Sequence, residues 1–319
     1  MSDQMIGWLH DADPEEWMYP IYVPSYSRAG TAPLLNLLAR APEYIQERVY
    51  VVVRRSELLS YGKAYPWATL VPQQAVSGIG PARMDAVGDA DTRGFDRIVM
   101  MDDDITKVGL LEDRSVAGQI KSGRYSSKNT PWEPWEFTLQ CLALGCKMAD
   151  AVFEIAQDVA YGSTRSAFMS HGEDVSVTAT IDKGGFPLCV LFIDVHRFTM
   201  RDMPRPFRFE GEDLAMYLDT YDEGYSTFLF NTLIFDDDRG IPSTIPFSGD
   251  NEVDRTGNLI DAERRYTKLG RYLKVTNTNP ETGAVKRITV DWRKFHKDNG
   301  TAPTTILTED VVRFIEEEA

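Results

Sequence analysis

The chain has 319 residues, 43% of them apolar and 11% aromatic, and a formal charge of −15. That length and apolar content suffice for one large or two modest domains with a buried core and exclude a disordered chain. The negative charge argues against indiscriminate binding to nucleic acid or anionic membranes. No apolar run approaches membrane-spanning length, and residues 1–9 lack a signal-peptide pattern. The three cysteines, Cys141, Cys146 and Cys189, are odd in number, and the first two are spaced for neither a zinc site nor a disulfide. A reducing, cytoplasmic setting without membrane partners is therefore expected. The charge is uneven: residues 255–297 hold eleven Lys/Arg against four Asp/Glu, a local +7 that leaves −22 elsewhere.

Residues 1–18 are acidic, carry Trp8 and Trp17, and read as an extension packed on the main domain. Residues 19–24 form a short strand, closed by Ser25-Tyr26-Ser27-Arg28-Ala29-Gly30. A helix over 31–40 is expected next, with Thr31 as N-cap and Pro33 in its first turn. Residues 48–53 make a second buried strand ending at Arg54-Arg55, and residues 67–71 a third. Gly78-Ile79-Gly80-Pro81 opens a helix that runs through Arg83 to about residue 90.

The most informative stretch comes next: Arg97-Ile98-Val99-Met100-Met101-Asp102-Asp103-Asp104. An apolar run ending in three carboxylates reads as a buried strand whose C-terminal end enters a polar cleft. Three like charges there repel one another, so a positive group is expected among them, a hard divalent cation being the simplest. The bland alternative is a solvated acidic turn.

Residues 115–134, rich in Gly, Ser, Lys and Trp without period, read as a long loop. Residues 135–153 read as a core helix, 159–169 as a strand, and 187–194 as an apolar strand. Residues 207–217 are a loop feeding a helix, with Glu212 and Asp213 in its first turn, where the dipole favours carboxylates or simple capping. Strand 226–235 again ends in acids, Asp236-Asp237-Asp238. Residues 271–276 and 285–292 are strand-like runs joined by a turn-rich connection.

Strands alternating with helices predict βαβ units and a mostly parallel sheet, in which ligands bind beyond the carboxyl ends of the strands. That rule aligns Ser25–Arg28, Arg54, Gly80, Arg83 and Asp102–Asp104 along one rim. The layout over residues 19–238 resembles the GT-A type of nucleotide-sugar glycosyltransferase. Pro24-Ser25-Tyr26-Ser27-Arg28 is similar to its first-strand nucleoside loop, and Gly80-Pro81-Ala82-Arg83-Met84 to its Gly-x-x-Arg-Asn segment, with Met84 in place of Asn. Asp102-Asp103-Asp104 stands where the family keeps its Asp-x-Asp metal motif, and Glu212-Asp213 where inverting members keep an acceptor-side Glu-Asp.

The resemblance implies a GT-A, Rossmann-like α/β fold, with a central sheet flanked by helices and a small C-terminal hairpin and helix extension. It divides the chain into an N-terminal extension (1–18), a glycosyltransferase domain (19–248) and a basic C-terminal extension (249–319). A nucleotide-sugar donor would be held by Pro24, Ser25, Tyr26, Arg28, Arg54, Gly80, Arg83, Asp102 and Asp103. Mn²⁺ or Mg²⁺ would be bound by Asp104 and Asp102, with a third ligand from Asp236, Asp238 or His196. Asp213 would be the base that deprotonates the acceptor hydroxyl, and Glu212 would orient the acceptor.

The Pro-Ser-Tyr-Ser-Arg opening, the Met-Asp-Asp-Asp-Ile strand and the basic tail look like the phage and TET-associated glycosyltransferases. That likeness implies a hydroxymethylated pyrimidine in DNA as acceptor, and the host cytoplasm as the setting if the chain is phage-encoded. Arg264, Arg265, Lys268 and Arg271 then become the candidate track for DNA phosphates, although a solvated hairpin carries similar charge. Two alternatives stay open. One is a glycosyltransferase acting on a polysaccharide, lipid or small-molecule acceptor. The other is an aspartate-nucleophile phosphohydrolase, in which Asp102 would attack phosphate and Asp104 would be the acid/base.

Overall fold

The computed structural model of the chain describes residues 3–74, 78–116, 119–125, 128, 130–166, 176–182, 189–198, 212–237, 269–278, 281 and 285–318. Thirteen described strands are β1 (Ile21–Pro24), β2 (Val49–Val53), β3 (Thr69–Pro72), β4 (Arg97–Met101), β5 (Ile105–Val116), β6 (Gln119–Tyr125) and β7 (Val159–Ser166), followed by β8 (Val177–Ile181), β9 (Val190–Asp194), β10 (Ser226–Asp237), β11 (Leu273–Thr278), β12 (Val285–Val290) and β13 (Thr304–Leu307). Eleven of them form one sheet with the path β13-β8-β10-β7-β9-β4-β1-β2-β3, from which β5 branches off β10 and carries β6. The parallel part is β3-β2-β1-β4, together with the pair β7-β10; β9 runs antiparallel between β4 and β7.

The apolar runs read from the sequence are continuous because both faces of the sheet are covered. On one face Ile21, Val23, Val49, Val51, Val99 and Met101 pack with helices Pro33–Leu38 and Pro134–Ile155. On the other, Tyr22, Tyr50, Val52, Ile98 and Met100 pack with helices Ile79–Arg93 and Glu212–Asp222. That second core also takes in Leu269, Tyr272, Val290 and Trp292 from the C-terminal segment. The two helices on this face are in contact, which brings their first turns toward the tip of β4.

Near the N-terminus, helix Asp3–Asp11 and the short helix Pro14–Trp17 pack on Pro134–Ile155. Leu9 and Ala12 are fully buried there, and Gln140 Nε2 donates to the carbonyls of both. At the other end of the chain, β13 pairs antiparallel with β8 at the sheet edge, and helix Thr308–Glu318 packs on Pro134–Ile155.

Two local readings are corrected. Residues 115–134 are not one long loop. β5 runs out to Val116 and returns as β6, in register from Leu110 opposite Tyr125 to Val116 opposite Gln119. This hairpin carries charged and small residues with no apolar alternation. Its strands exist through backbone pairing with each other and with β10, which hydrophobic periodicity does not report. The first helix does not start at Thr31: its N-cap is Ala32, which makes no side-chain cap, and Pro33 takes the first helical position. The Leu34 amide in its first turn donates instead to the Asp103 carbonyl, at 3.2 Å, so a distant backbone oxygen replaces the local cap. Among the described residues no helix is long and apolar enough to cross a membrane.

Candidate active site

The site gathers at the carboxyl end of β4, where the chain turns from Met101 into β5 within three residues, Asp102-Asp103-Asp104. The turn is fastened on both sides. The Asp102 amide donates to the Cys189 carbonyl at 2.8 Å, and the Asp103 carbonyl accepts from the Leu34 amide at 3.2 Å. The three carboxylates therefore have different surroundings.

Asp103 points inward. It accepts from Ser25 Oγ at 2.5 Å and pairs with the Arg28 guanidinium. Burial pushes its carboxyl above the usual range, and Arg28 and Ser25 oppose that push. The Tyr61 hydroxyl completes this knot, lying 2.7 Å from Ser25 Oγ and accepting from the Arg28 amide at 3.0 Å. Ser25, Arg28 and Asp103 thus form one rigid unit between the ends of β1 and β4. Next to it the Ser27 amide donates to Glu57 at 2.8 Å, and Arg54 lies flat on the Tyr26 ring, 3.7 Å from its centroid. A stacked guanidinium beside an anchored loop is a surface suited to a planar ring.

Asp102 faces the helix Ile79–Arg93. Gly78 caps that helix with a φ of +137°, a value that favours glycine, and Gly80 lies in its first turn. One turn further on, Arg83 is only 3% exposed. Its Nη2 meets Asp102 at 2.9 Å, and its Nη1 pairs with Asp213 at the start of helix Glu212–Asp222. One buried guanidinium therefore joins the strand-tip carboxylate to a carboxylate that follows Arg83 itself by 130 residues. Cys189, with a φ of +64°, sits beside both acids; burial pushes its thiol up, and their two charges add to that.

Asp104 is the least compensated of the three. Its carboxyl is pushed up to about 6, first by burial and then by the charges of Asp102 and Asp103. Arg28, at 3.6 Å, offsets this, while Asp237 adds a further negative charge. Asp237 reaches that position through a register shift in β10, which sets it opposite Ile105 while Asp236 stays opposite Lys107. Asp236 is held there by Lys107 at 2.7 Å, and its carbonyl accepts from Thr106 at 3.1 Å. His196 lies at the opposite end of β4, paired with Asp96 at 2.9 Å.

Among the described residues no three metal-ligating side chains already converge. A catalytic Mg²⁺ or Mn²⁺ site does not require three, because such ions commonly rest on one or two carboxylates plus substrate phosphates and water. Asp104 fits that pattern: a hard oxygen donor at a strand end, kept short of positive charge, with Asp102 and Asp237 close by.

The structure thus brings together Pro24, Ser25, Tyr26, Arg28, Arg54, Gly80, Arg83, Asp102, Asp103, Asp104 and Asp213 at one rim. Arg264, Arg265, Lys268 and Asp238 lie outside the described residues, as does the side chain of Glu212. Arg271 is described and lies elsewhere, on the short turn of helix Gly270–Tyr272. Sequence reasoning missed Tyr61, Asp237 and Cys189. Only Asp237 had a signal, as the middle member of the second triple-Asp run.

The family model described as TET-Associated Glycosyltransferase matches residues 19–240. No curated protein matches the chain. Solved structures similar to it include glucosyl-3-phosphoglycerate synthase from Mycobacterium tuberculosis, in complex with Mn²⁺, UDP-glucose and phosphoglyceric acid, at 11% identity and a TM-score of 0.38, covering 68% of this chain and 69% of that one. A cytidylyltransferase from Leptospira borgpetersenii is similar at 10% identity and a TM-score of 0.36, covering 67% of this chain and 76% of that one. The family match spans more than two thirds of the sequence, and the chain is a glycosyltransferase that belongs to the TET-associated glycosyltransferase family.

Proposed function

We propose that this glycosyltransferase moves a sugar from a nucleotide-sugar to the hydroxyl of a hydroxymethylated pyrimidine in DNA, with Mn²⁺ or Mg²⁺ and with inversion at the sugar. The observation that carries the reading is the Arg83 bridge. It sets Asp213, a carboxylate able to take a proton, next to Asp102 at the strand tip. An inverting transfer needs that neighbourhood, because the acceptor oxygen attacks the sugar carbon from the side opposite the departing diphosphate.

Each residue then has a task. Tyr26 and Arg54 offer a stacking face for the base of the donor, and Ser25, Arg28 and Asp103 fix the loop beneath it. Asp104 and Asp102 would hold the divalent cation, with Asp237 or Asp236 as further donors. When bound, that ion supplies positive charge against the negative charge developing on the leaving diphosphate. Asp213 takes the proton of the attacking hydroxyl, and Arg83 keeps its carboxylate oriented toward the sugar. Glu212 orients the acceptor. The basic segment 255–297, in an otherwise acidic chain, supports a polyanionic acceptor.

The test is a panel of nucleotide-sugars with Mn²⁺, offered hydroxymethylated DNA, unmodified DNA and free glycans, with products read by mass spectrometry. The expected outcome is a gain of one sugar mass on hydroxymethylated DNA alone. Transfer only to glycans would overturn the DNA acceptor. Phosphate release from simple phosphoesters without any sugar transfer would favour the phosphohydrolase.

A further inference from the structure

A second feature built for binding stands apart from this site, where helix Glu212–Asp222 ends and β10 begins. A cavity of about 380 Å³ opens there, lined by Tyr221, Gly224, Tyr225, Ser226, Arg271, Phe295 and Asn299. Its size is within the range of small-ligand pockets. Three of the seven residues are aromatic, and two of them rest on a further ring: Tyr221 and Phe295 both contact Trp292, with centroids 5.4 Å and 5.2 Å away.

The polar side of the pocket is equally specific. Arg271 is exposed and lies 4.8 Å from the Tyr272 ring; among the described residues it has no carboxylate partner. In a chain of charge −15, an arginine without a carboxylate at the mouth of an aromatic cavity is a place for an outside anion. The Asn299 amide, placed by the Phe295 carbonyl at 2.8 Å and the Tyr272 hydroxyl at 3.2 Å, adds polar recognition. Behind the wall, the Tyr221 hydroxyl lies beside Asp182, whose carboxyl burial pushes up to about 6. Perturbed carboxyls behind aromatic pockets concentrate at binding sites more than at plain surface.

A flat ring for the aromatic wall and an anion for Arg271, covalently joined, describe one nucleotide. We propose that this cavity receives a single nucleotide of the acceptor strand, its base against Tyr221, Tyr225 and Phe295 and its phosphate on Arg271. The proposal rests on the reading of a DNA acceptor. It adds a second grip on that strand, separate from the base being modified. Tyr221 stands eight residues after Asp213 on helix Glu212–Asp222, about 12 Å along it at 1.5 Å per residue. At the roughly 3.4 Å spacing of stacked nucleotides that distance takes about four nucleotides, and an extended strand covers it in fewer. The gripped nucleotide therefore lies about two to four positions from the target.

The test uses the full chain and single-stranded oligonucleotides with one hydroxymethylated pyrimidine and one 4-thiothymidine placed two to ten positions away. Ultraviolet crosslinking and peptide mapping should attach the photoreactive base to the peptides containing Tyr225 or Phe295 when it lies about two to four positions from the target, and not when it lies ten away. In fluorescence anisotropy Tyr225→Ala should weaken binding by roughly five- to a hundredfold, the loss of one stacked base. Tyr225→Phe, which keeps the ring, should restore it. Arg271→Gln should flatten the dependence of log affinity on log salt by about 0.7. Wild-type affinity in a Tyr225→Ala protein that unfolds at the normal temperature would overturn the pocket and leave the acceptor reading standing. If the wild-type chain binds no oligonucleotide at low salt, both fall. If free thymidine monophosphate binds as tightly as the oligonucleotide and blocks the crosslink, the pocket serves a free nucleotide and the strand grip is wrong.

Discussion

The polar cluster at the tip of β4 and the one at the far end of helix Glu212–Asp222 are assembled on opposite principles. At the tip of β4, two arginines serve four carboxylates: Arg28 pairs with Asp103 and approaches Asp104, and Arg83 joins Asp102 to Asp213. Asp102, Asp103 and Asp213 are paired within the protein and hold fixed positions before any ligand arrives, while Asp104 is left short of positive charge. At the far end of helix Glu212–Asp222, among the described residues, Arg271 has an aromatic neighbour and no acid, and Asp182 has Tyr221 and His296 but no arginine. The first arrangement suits chemistry, where preorganised groups lower the cost of reaching the transition state. The second leaves charge for a partner from outside, which suits grip without chemistry.

The contrast can be tested by removing one member at a time. The largest effect is expected at Asp213. Asp213→Asn keeps the shape and much of the pairing with Arg83 but cannot take a proton, so transfer should fall by at least about 10²-fold with donor binding nearly unchanged. Steady-state transfer beside calorimetric donor binding reads both, and wild-type turnover would reduce Asp213 to a helix cap.

Arg83→Gln attacks the paired end directly. Removing one partner of a buried ion pair costs about 3–5 kcal/mol. Asp102 and Asp213 are each about a quarter exposed, at 25% and 26%, so solvent screening reduces the expected loss to about 2–3 kcal/mol. Urea denaturation would show it, and Arg83→Lys should recover only part, since an ammonium lacks the two-pronged fork. No change in midpoint would mean the bridge is not part of the folded structure in solution.

Asp104→Asn should spare the fold and weaken metal-dependent binding of a nucleoside diphosphate by at least about tenfold. Calorimetry with and without Mn²⁺ separates that from general damage. Equal affinity in both proteins would overturn the proposed metal role of Asp104.

The smallest effect concerns the far cluster. The Asp182 carboxyl sits at about 6 in the fold, raised by burial and the charge of Asp158 and opposed by Tyr221 and His296. In an unfolded chain it would sit near about 3.9. The native state thus holds this proton more tightly, a contribution fully present below about pH 4 and lost as pH rises through about 6. Asp182→Asn should therefore stabilise the protein at about pH 7 and hardly at all at about pH 4. Its φ of +58° is one that asparagine tolerates. Thermal unfolding at the two pH values reads the difference, and equal effects at both would show that the carboxyl is not strained by burial.

Much of the arrangement at the β4 tip was legible because its signals are local. An apolar run that stops at three aspartates marks a buried strand and its exit, and Gly78 before an apolar-periodic stretch marks a helix start. Carboxylates at the first turn of helix Glu212–Asp222 follow from the helix dipole. The β5–β6 hairpin was not legible, since backbone pairing rather than apolar alternation makes it.

Short-range periodicity alone placed Ser25, Arg28, Arg54, Asp102, Asp103 and Asp104 at strand ends, and the order of those motifs pointed to the family. Which of these side chains meet depends on packing. Arg83 and Asp213 are 130 residues apart, and nothing in spacing pairs them until two helices pack on one face of the sheet. An irregularity in the β10–β5 pairing sets Asp237 opposite Ile105, next to Asp104, and leaves Asp236 opposite its partner Lys107, and successive side chains on a strand face opposite ways. The pocket at Tyr225 belongs to the same class: its walls come from three stretches of chain that meet only when the second core forms.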